Sequence, residues 1–148
     1  MENRTPLDFS QLPKIVAVDF DGTLVEDNWP NIGKENIYMF ETIKTLKAMG
    51  VKIILWTSRN YTEGHGDMLQ QAVDYCAERG LIFDAVNENI AEVQALTGQD
   101  TRKVYADLYI DDKSIPHSQD PLYWYNRIGI RYSDFIQKRR SLNLTDKE

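Results

Sequence analysis

The sequence predicts an α/β fold, a three-layer parallel sheet with helices on both faces, on three observations. Apolar runs of strand length alternate with longer segments of helical period, the pattern of strand–helix–strand units. The runs are continuous rather than alternating in polarity, as in strands buried on both sides. Polar clusters follow three of the runs directly, and in open parallel sheets that is where ligands bind.

Taken in order, residues 1–13 read as a loose lead-in broken by Pro6 and Pro13. Ile15-Val16-Ala17-Val18 is the first strand and runs straight into Asp19. A helix is predicted over 34–49, where Ile37, Phe40, Ile43 and Leu46 recur and Gly50 supplies the stop. Lys52 to Trp56 is the second strand. The next helix spans about 66–79, with Leu69, Ala72, Val73, Cys76 and Ala77 as its apolar stripe and Gly80 behind it. Residues 82–86 are a third strand, 88–96 a short helix closed by Gly98, and 104–110 a fourth strand ending in Asp111-Asp112. Residues 116–125 are irregular and rich in aromatics, 133–140 are helical, and 141–148 form a tail. No repeat or linker divides the chain, so residues 1–148 are expected to be one domain, as the length allows.

The bulk composition narrows the function classes. With 42% hydrophobic and 27% charged residues the chain matches an ordinary soluble protein. Its single cysteine, Cys76, permits no internal disulfide, which suits a reducing compartment. Met1 to Lys14 lacks the apolar run of a signal peptide, and no stretch is long and apolar enough to span a bilayer. A cytoplasmic protein without a membrane partner is expected. A net charge of −6 makes it a poor candidate for nucleic-acid binding, which runs on positive charge. The basic cluster Lys138-Arg139-Arg140 reads as a solvated helix face.

The strand ends carry the chemistry. The first ends in Asp19-Phe20-Asp21-Gly22-Thr23, the second in Thr57-Ser58-Arg59, and the fourth in Asp111-Asp112. A carboxylate at a strand tip can attack phosphorus and form an aspartyl-phosphate, which is the role predicted for Asp19. Asp21 can protonate the leaving alkoxide and later activate water. Gly22 permits the sharp departure that turns Asp21 back toward the site, and Gly22 and Thr23 are counted with the substrate-binding loop. A carboxylate nucleophile facing a phosphoryl group needs cations. Magnesium takes oxygen ligands and keeps several waters, so Asp19 and Asp111 suffice as its direct ligands, with Asp112 holding its waters. Asp111-Asp112 follows the apolar strand directly, whereas Asp107 lies within the strand pattern. The one lysine between Thr57 and Asp111 is Lys103, which is expected to neutralise the remaining charge. The Thr57 hydroxyl and the Ser58 and Arg59 amides are expected at a phosphoryl oxygen, and the Arg59 side chain either grips substrate or pairs with a carboxylate.

These motifs, with Leu55-Trp56-Thr57-Ser58-Arg59, Lys103 and Tyr109-Ile110-Asp111-Asp112 in this order, resemble the haloacid dehalogenase superfamily, and most of all its small capless members. The resemblance implies a Rossmann-like fold and a magnesium-dependent phosphatase. Asp19 would be nucleophile and metal ligand, and Asp21 general acid/base and metal ligand through its carbonyl. Thr57 would bind the phosphoryl group, Lys103 would neutralise it, and Asp111 would ligate Mg2+; the family's spacing also admits Asp107 with Asp111 as the acidic pair, and Asp111 with Asp112 is preferred for following the apolar strand directly. An acid at position 21 favours phosphatase or phosphotransferase over the dehalogenases and ion pumps of the family, which lack it.

Neither the interval from Asp21 to Thr57 nor that from Thr57 to Lys103 has room for the cap domain that many members carry, so no cap is expected. The crevice then stays open, or is covered by the flap 25–31, the loop 60–66, the aromatic segment 121–125 or a second copy of the chain in a homo-oligomer. A small phosphorylated molecule is favoured as substrate over a macromolecule. A phosphotransferase, a polynucleotide-end phosphatase and a non-catalytic phosphate- or metal-binding module are the alternatives, the last opposed by the intact Asp19 and Asp21. Cys76 reads as core and His65 as a loop residue near the mouth. His117 is given no role, Trp124 reads as packing, and Trp29-Pro30 is flap that brushes substrate.

Overall fold

A computed structural model describes residues 12–114 of the chain. Along it run β1 (Ile15–Val18), α1 (Ile37–Ala48), β2 (Lys52–Leu55), β3 (Tyr61–Thr62), β4 (Gly66–Asp67), α2 (Met68–Glu78), β5 (Ala85–Val86), α3 (Ala91–Thr97) and β6 (Leu108–Ile110). The sheet has the order β5-β2-β1-β6 and every neighbouring pair is parallel. The 116–125 segment, the 133–140 helix, the 141–148 tail and residues 1–11 of the lead-in lie outside the described residues.

The continuous apolar runs divide between two cores because successive strand side chains point to opposite faces. Val16, Val18, Ile53 and Leu55 pack against Met39, Phe40, Ile43 and Leu46 of α1 and Ala72 and Cys76 of α2. Ile15, Ala17 and Ile54 face the other way, toward Ile90, Val104 and Val93 of α3. The layering follows from connection handedness. The chain steps from β1 to β2 to β5 in one direction, so right-handed crossovers put α1 and α2 on one face. It then returns past β1 to reach β6, and α3 falls on the other face. Strand order therefore reverses beside β1, between it and β6, and open sheets bind ligands at the carboxyl end of such a point.

Local side chains set the element ends. Asn36 caps α1 by accepting from the Met39 amide, and Asp67 caps α2 by accepting from Gln70. Two strands are shorter than the sequence predicts, because side chains take over the backbone partners. The Asp84 carboxylate accepts from the Ile53 amide (2.8 Å), so β5 is confined to Ala85–Val86. The Tyr105 amide donates to the buried Asn89 side chain (2.6 Å), and β6 starts only at Leu108. The 60–66 loop is also more ordered than expected: Tyr61–Thr62 and Gly66–Asp67 form an antiparallel hairpin that leads into α2. Cys76 is fully buried in α2 and burial pushes its thiol up to about 12, which fits a core residue. Among the described residues no cap domain is inserted, and no helix is long and apolar enough to cross a membrane.

Candidate active site

Backbone bonds across the sheet bring three strand ends to one place. The Asp19 amide donates to the Ile110 carbonyl (2.9 Å) and the Trp56 amide to the Val18 carbonyl (2.9 Å). Asp19, Thr57 and Asp111 thereby leave adjacent strands side by side. Beyond Asp19 the chain closes a tight turn, in which the amides of Thr23, Leu24 and Val25 converge on the Phe20 carbonyl (3.1, 2.9 and 3.2 Å). Gly22 holds a φ of +85°, and a Cβ there would lie 2.3 Å from Asp112 Oδ2. The position needs glycine twice over, for its left-handed backbone and for the close approach of the carboxylate. The buried Thr23 hydroxyl donates to Asp19 Oδ2 (3.2 Å) and accepts from the Asp112 amide (3.2 Å), which ties the two acids together.

Asp19, Asp111 and Asp112 each offer a carboxylate oxygen, and these atoms all lie within 4.8 Å of one another. Burial, then the charge of Asp111, then a hydrogen bond with Asp112 and its charge, push the Asp19 carboxyl up to about 8. Asp112 Oδ1 is buried with no hydrogen-bond partner. Crowded like charges and an orphaned acceptor are what a hard cation with oxygen ligands would satisfy, so this donor set fits magnesium. The positive side chain found beside the cluster is Lys113, whose Nζ lies 3.2 Å from Asp112 Oδ2. That contact pushes the exposed lysine's pKa upward.

The cluster opens into a crevice of about 540 Å³. Asp19 and Asp111 line it with Trp56, Thr57 and Ser58, which follow β2. Asp27 and Trp29 line it from the flap, and Lys113 stands at its edge. Trp29 is 56% exposed and meets His65 edge-to-face at 6.2 Å, so the loop histidine touches the flap. The Thr57 amide donates to the side-chain oxygen of Asn87 (2.8 Å), which sits after β5 at a φ of 52°. Asparagine tolerates that left-handed conformation better than most residues.

Asp21 also lines the crevice, yet its surroundings are unlike those of Asp19. Both its oxygens are held by Arg59, Nε to Oδ2 and one Nη to Oδ1, each at 2.7 Å. The Arg59 side chain is buried and also donates to the Pro30 and Asn31 carbonyls (3.3 and 3.0 Å).

The site residues expected from sequence are thus redistributed. Asp19, Asp21, Thr57, Ser58 and Asp111 come together at the crevice, with Asp112 behind them. Arg59 does not reach substrate space, because its side chain is buried and the Asp21 carboxylate and two carbonyls occupy its donors. Gly22 and Thr23 are buried and serve the turn rather than a substrate surface. Lys103 is exposed beside Val93, Thr97 and Tyr109 in a separate recess, since it precedes β6 and so lies toward the amino end of that strand, away from Asp111 and Asp112. Asp107 lies at the opposite end of the sheet, where its Oδ2 accepts from the Lys14 and Ile15 amides (2.9 and 3.0 Å). Reading strand ends alone passed over Lys113, Trp56 and Asn87. Lys113 follows Asp112 directly and was open to view, whereas Asn87 carried no signal beyond being an asparagine after a strand.

Residues 16–148 match the family described as haloacid dehalogenase-like hydrolase. A solved structure, that of a conserved protein coded by a locus of Bacteroides thetaiotaomicron, is similar at 36% identity and a TM-score of 0.65. The match covers 81% of this chain and 94% of that one. No curated protein matches the chain.

Proposed function

The chain belongs to the haloacid dehalogenase-like hydrolase family, and on that footing we propose that it is a magnesium-dependent phosphomonoester hydrolase working through an aspartyl-phosphate on Asp19. The observation that carries this reading is the grouping of Asp19, Asp111 and Asp112 at the switch point of the sheet, with Asp21 facing the same crevice.

Each residue has a part that its position supports. An Asp19 oxygen attacks phosphorus as the bond to the leaving oxygen breaks, and Asp21 gives that oxygen its proton. Asp21 then takes a proton from water, whose oxygen attacks the phosphorus of the acyl phosphate and frees Asp19 and inorganic phosphate. The Thr57 oxygen already accepts from the Arg59 amide (3.1 Å), which leaves its own proton for a phosphoryl oxygen. Ser58 stands beside it, and Lys113, in place of Lys103, supplies a fixed positive charge at the crevice edge. Asp19, Asp111 and Asp112, with the Asp21 carbonyl that the family resemblance offers, would hold magnesium, which would supply positive charge to let Asp19 ionise near neutral pH and to offset the phosphoryl oxygens.

The test is turnover of an activated aryl phosphate with magnesium. Asp19→Asn should lower it by at least about 10⁴-fold, as for loss of a nucleophile elsewhere, with the circular dichroism spectrum unchanged. A folded Asp19→Asn protein with near wild-type turnover would sink the mechanism.

A further inference from the structure

One guanidinium joins parts of the site that are far apart in the chain. Arg59 follows β2, Asp21 follows β1, and Pro30 and Asn31 lie in the flap that precedes α1. The Arg59 side chain has 0% of its surface exposed, so it cannot contact substrate. Of the five N–H bonds of a guanidinium, four are committed: two to the Asp21 oxygens, one to the Pro30 carbonyl and one to the Asn31 carbonyl. Its plane is held further by the Phe20 ring, 5.2 Å away, and its amide by Thr57 Oγ1. The flap it grips carries Asp27 and Trp29 into the crevice, and the Trp29 amide is tied to Asp27 Oδ1 (3.4 Å).

We propose that Arg59 is a positioning residue that holds the Asp21 carboxyl in register with the flap 27–31, so that the proton donor is aligned with the wall that the leaving group touches. The proposal rests on the phosphomonoester reading above. Carboxyl and flap share one rigid, planar group, so neither can shift without straining bonds to the other. A lysine could not do the same, because a single ammonium cannot fork both carboxylate oxygens and also reach two carbonyls.

The test compares 4-nitrophenyl phosphate, whose leaving group needs little protonation, with an unactivated alkyl phosphate, whose leaving group needs much. Rates with magnesium are measured for the wild type, Arg59→Lys, Asp21→Asn and the double variant. Arg59→Lys should lose about tenfold more kcat/KM on the alkyl ester than on the aryl ester, a part of the full acid-catalytic effect. On the alkyl ester the double variant should be no slower than Asp21→Asn alone, since both changes disable one device. Equal losses on the two esters, or losses that multiply in the double variant, would overturn the proposal. Hydrogen exchange at the amides of residues 26–34 provides a readout that needs no activity. It should quicken severalfold in Arg59→Lys and also in the isosteric Asp21→Asn, which covers the case of a lysine variant that does not fold. Unchanged flap exchange in folded variants overturns the strut. A wild type that hydrolyses neither ester while its variants show loosened flaps would instead remove the phosphatase reading and leave the strut standing.

Discussion

Asp19 and Asp21 leave β1 on either side of Phe20, and the molecule treats them in opposite ways. Asp19 is set among Asp111 and Asp112 with a threonine hydroxyl, and no cationic side chain is bonded to it among the described residues. Asp21 lies in the fork of a buried guanidinium that meets both its oxygens. One region is a cluster of three crowded acids, met by a cationic side chain at Asp112 alone among the described residues, and it invites a cation. The other is an ion pair in which a buried guanidinium holds both oxygens of a carboxyl that still lines the crevice. The contrast teaches how two like side chains, separated by a single residue, can take different roles in one reaction: the environment assigns the task, not the residue type.

The sharpest way to break the contrast is to remove one charge from each region and compare stabilities without metal. Arg59→Ala would leave the Asp21 carboxyl and two flap carbonyls without their donor, and urea unfolding should show a loss of about 3–5 kcal/mol. Asp111→Ala removes a like charge from the cluster and should instead stabilise the metal-free protein, by up to about 1 kcal/mol. Two losses of similar size would mean that the acidic cluster is already compensated, and the case for a cation there would fall.

A smaller effect separates the two lysines. Lys113→Ala should slow hydrolysis of an aryl phosphate by about tenfold, the low end of what one fixed charge contributes at a reacting phosphoryl group. Lys103→Ala should leave the rate as it is. The opposite ranking in steady-state assays would return the neutralising role to Lys103 and show that the recess in which it lies joins the crevice during turnover.

The smallest expected change lies in the pH dependence of the metal-free protein. The folded Asp19 carboxyl holds its proton up to about 8, whereas the ordinary value is 3.8. Its contribution to stability is therefore complete below the ordinary value and is lost as pH rises through 8, because the unfolded chain gives up the proton first. Melting scans from pH 5 to 8 should show Tm of the wild type falling by a few degrees relative to Asp19→Asn, in which nothing titrates at that position. Added magnesium should flatten the slope. Parallel slopes in wild type and variant would mean that the cluster does not hold the Asp19 proton.

The sequence by itself determined the sheet, its layers and the strand-tip acids. Continuous apolar runs must be buried on both faces, and a parallel sheet with crossover helices meets that demand. A polar residue placed directly after such a run has no choice but to stand at the carboxyl edge of the sheet, which is why Asp19, Thr57 and Asp111 were legible one by one. Short intervals between them left no room for an inserted domain. Only the tertiary structure decided what each side chain faces. Lys103 and Lys113 both flank β6, and only the packing of the strand ends sets Lys103 in a separate recess and Lys113 at the crevice beside Asp112. Asp107 and Asp111 read alike in sequence but lie at opposite ends of one strand, so one bonds the amides that open β1 and the other joins the acidic cluster. Arg59 was equally suited to substrate or to an ion pair until the turn after β1 and the flap before α1 closed over it. The physical reason is common to all three: periodicity reports burial along one strand or helix, while charge pairing depends on which elements the packed core brings within a few ångströms of each other.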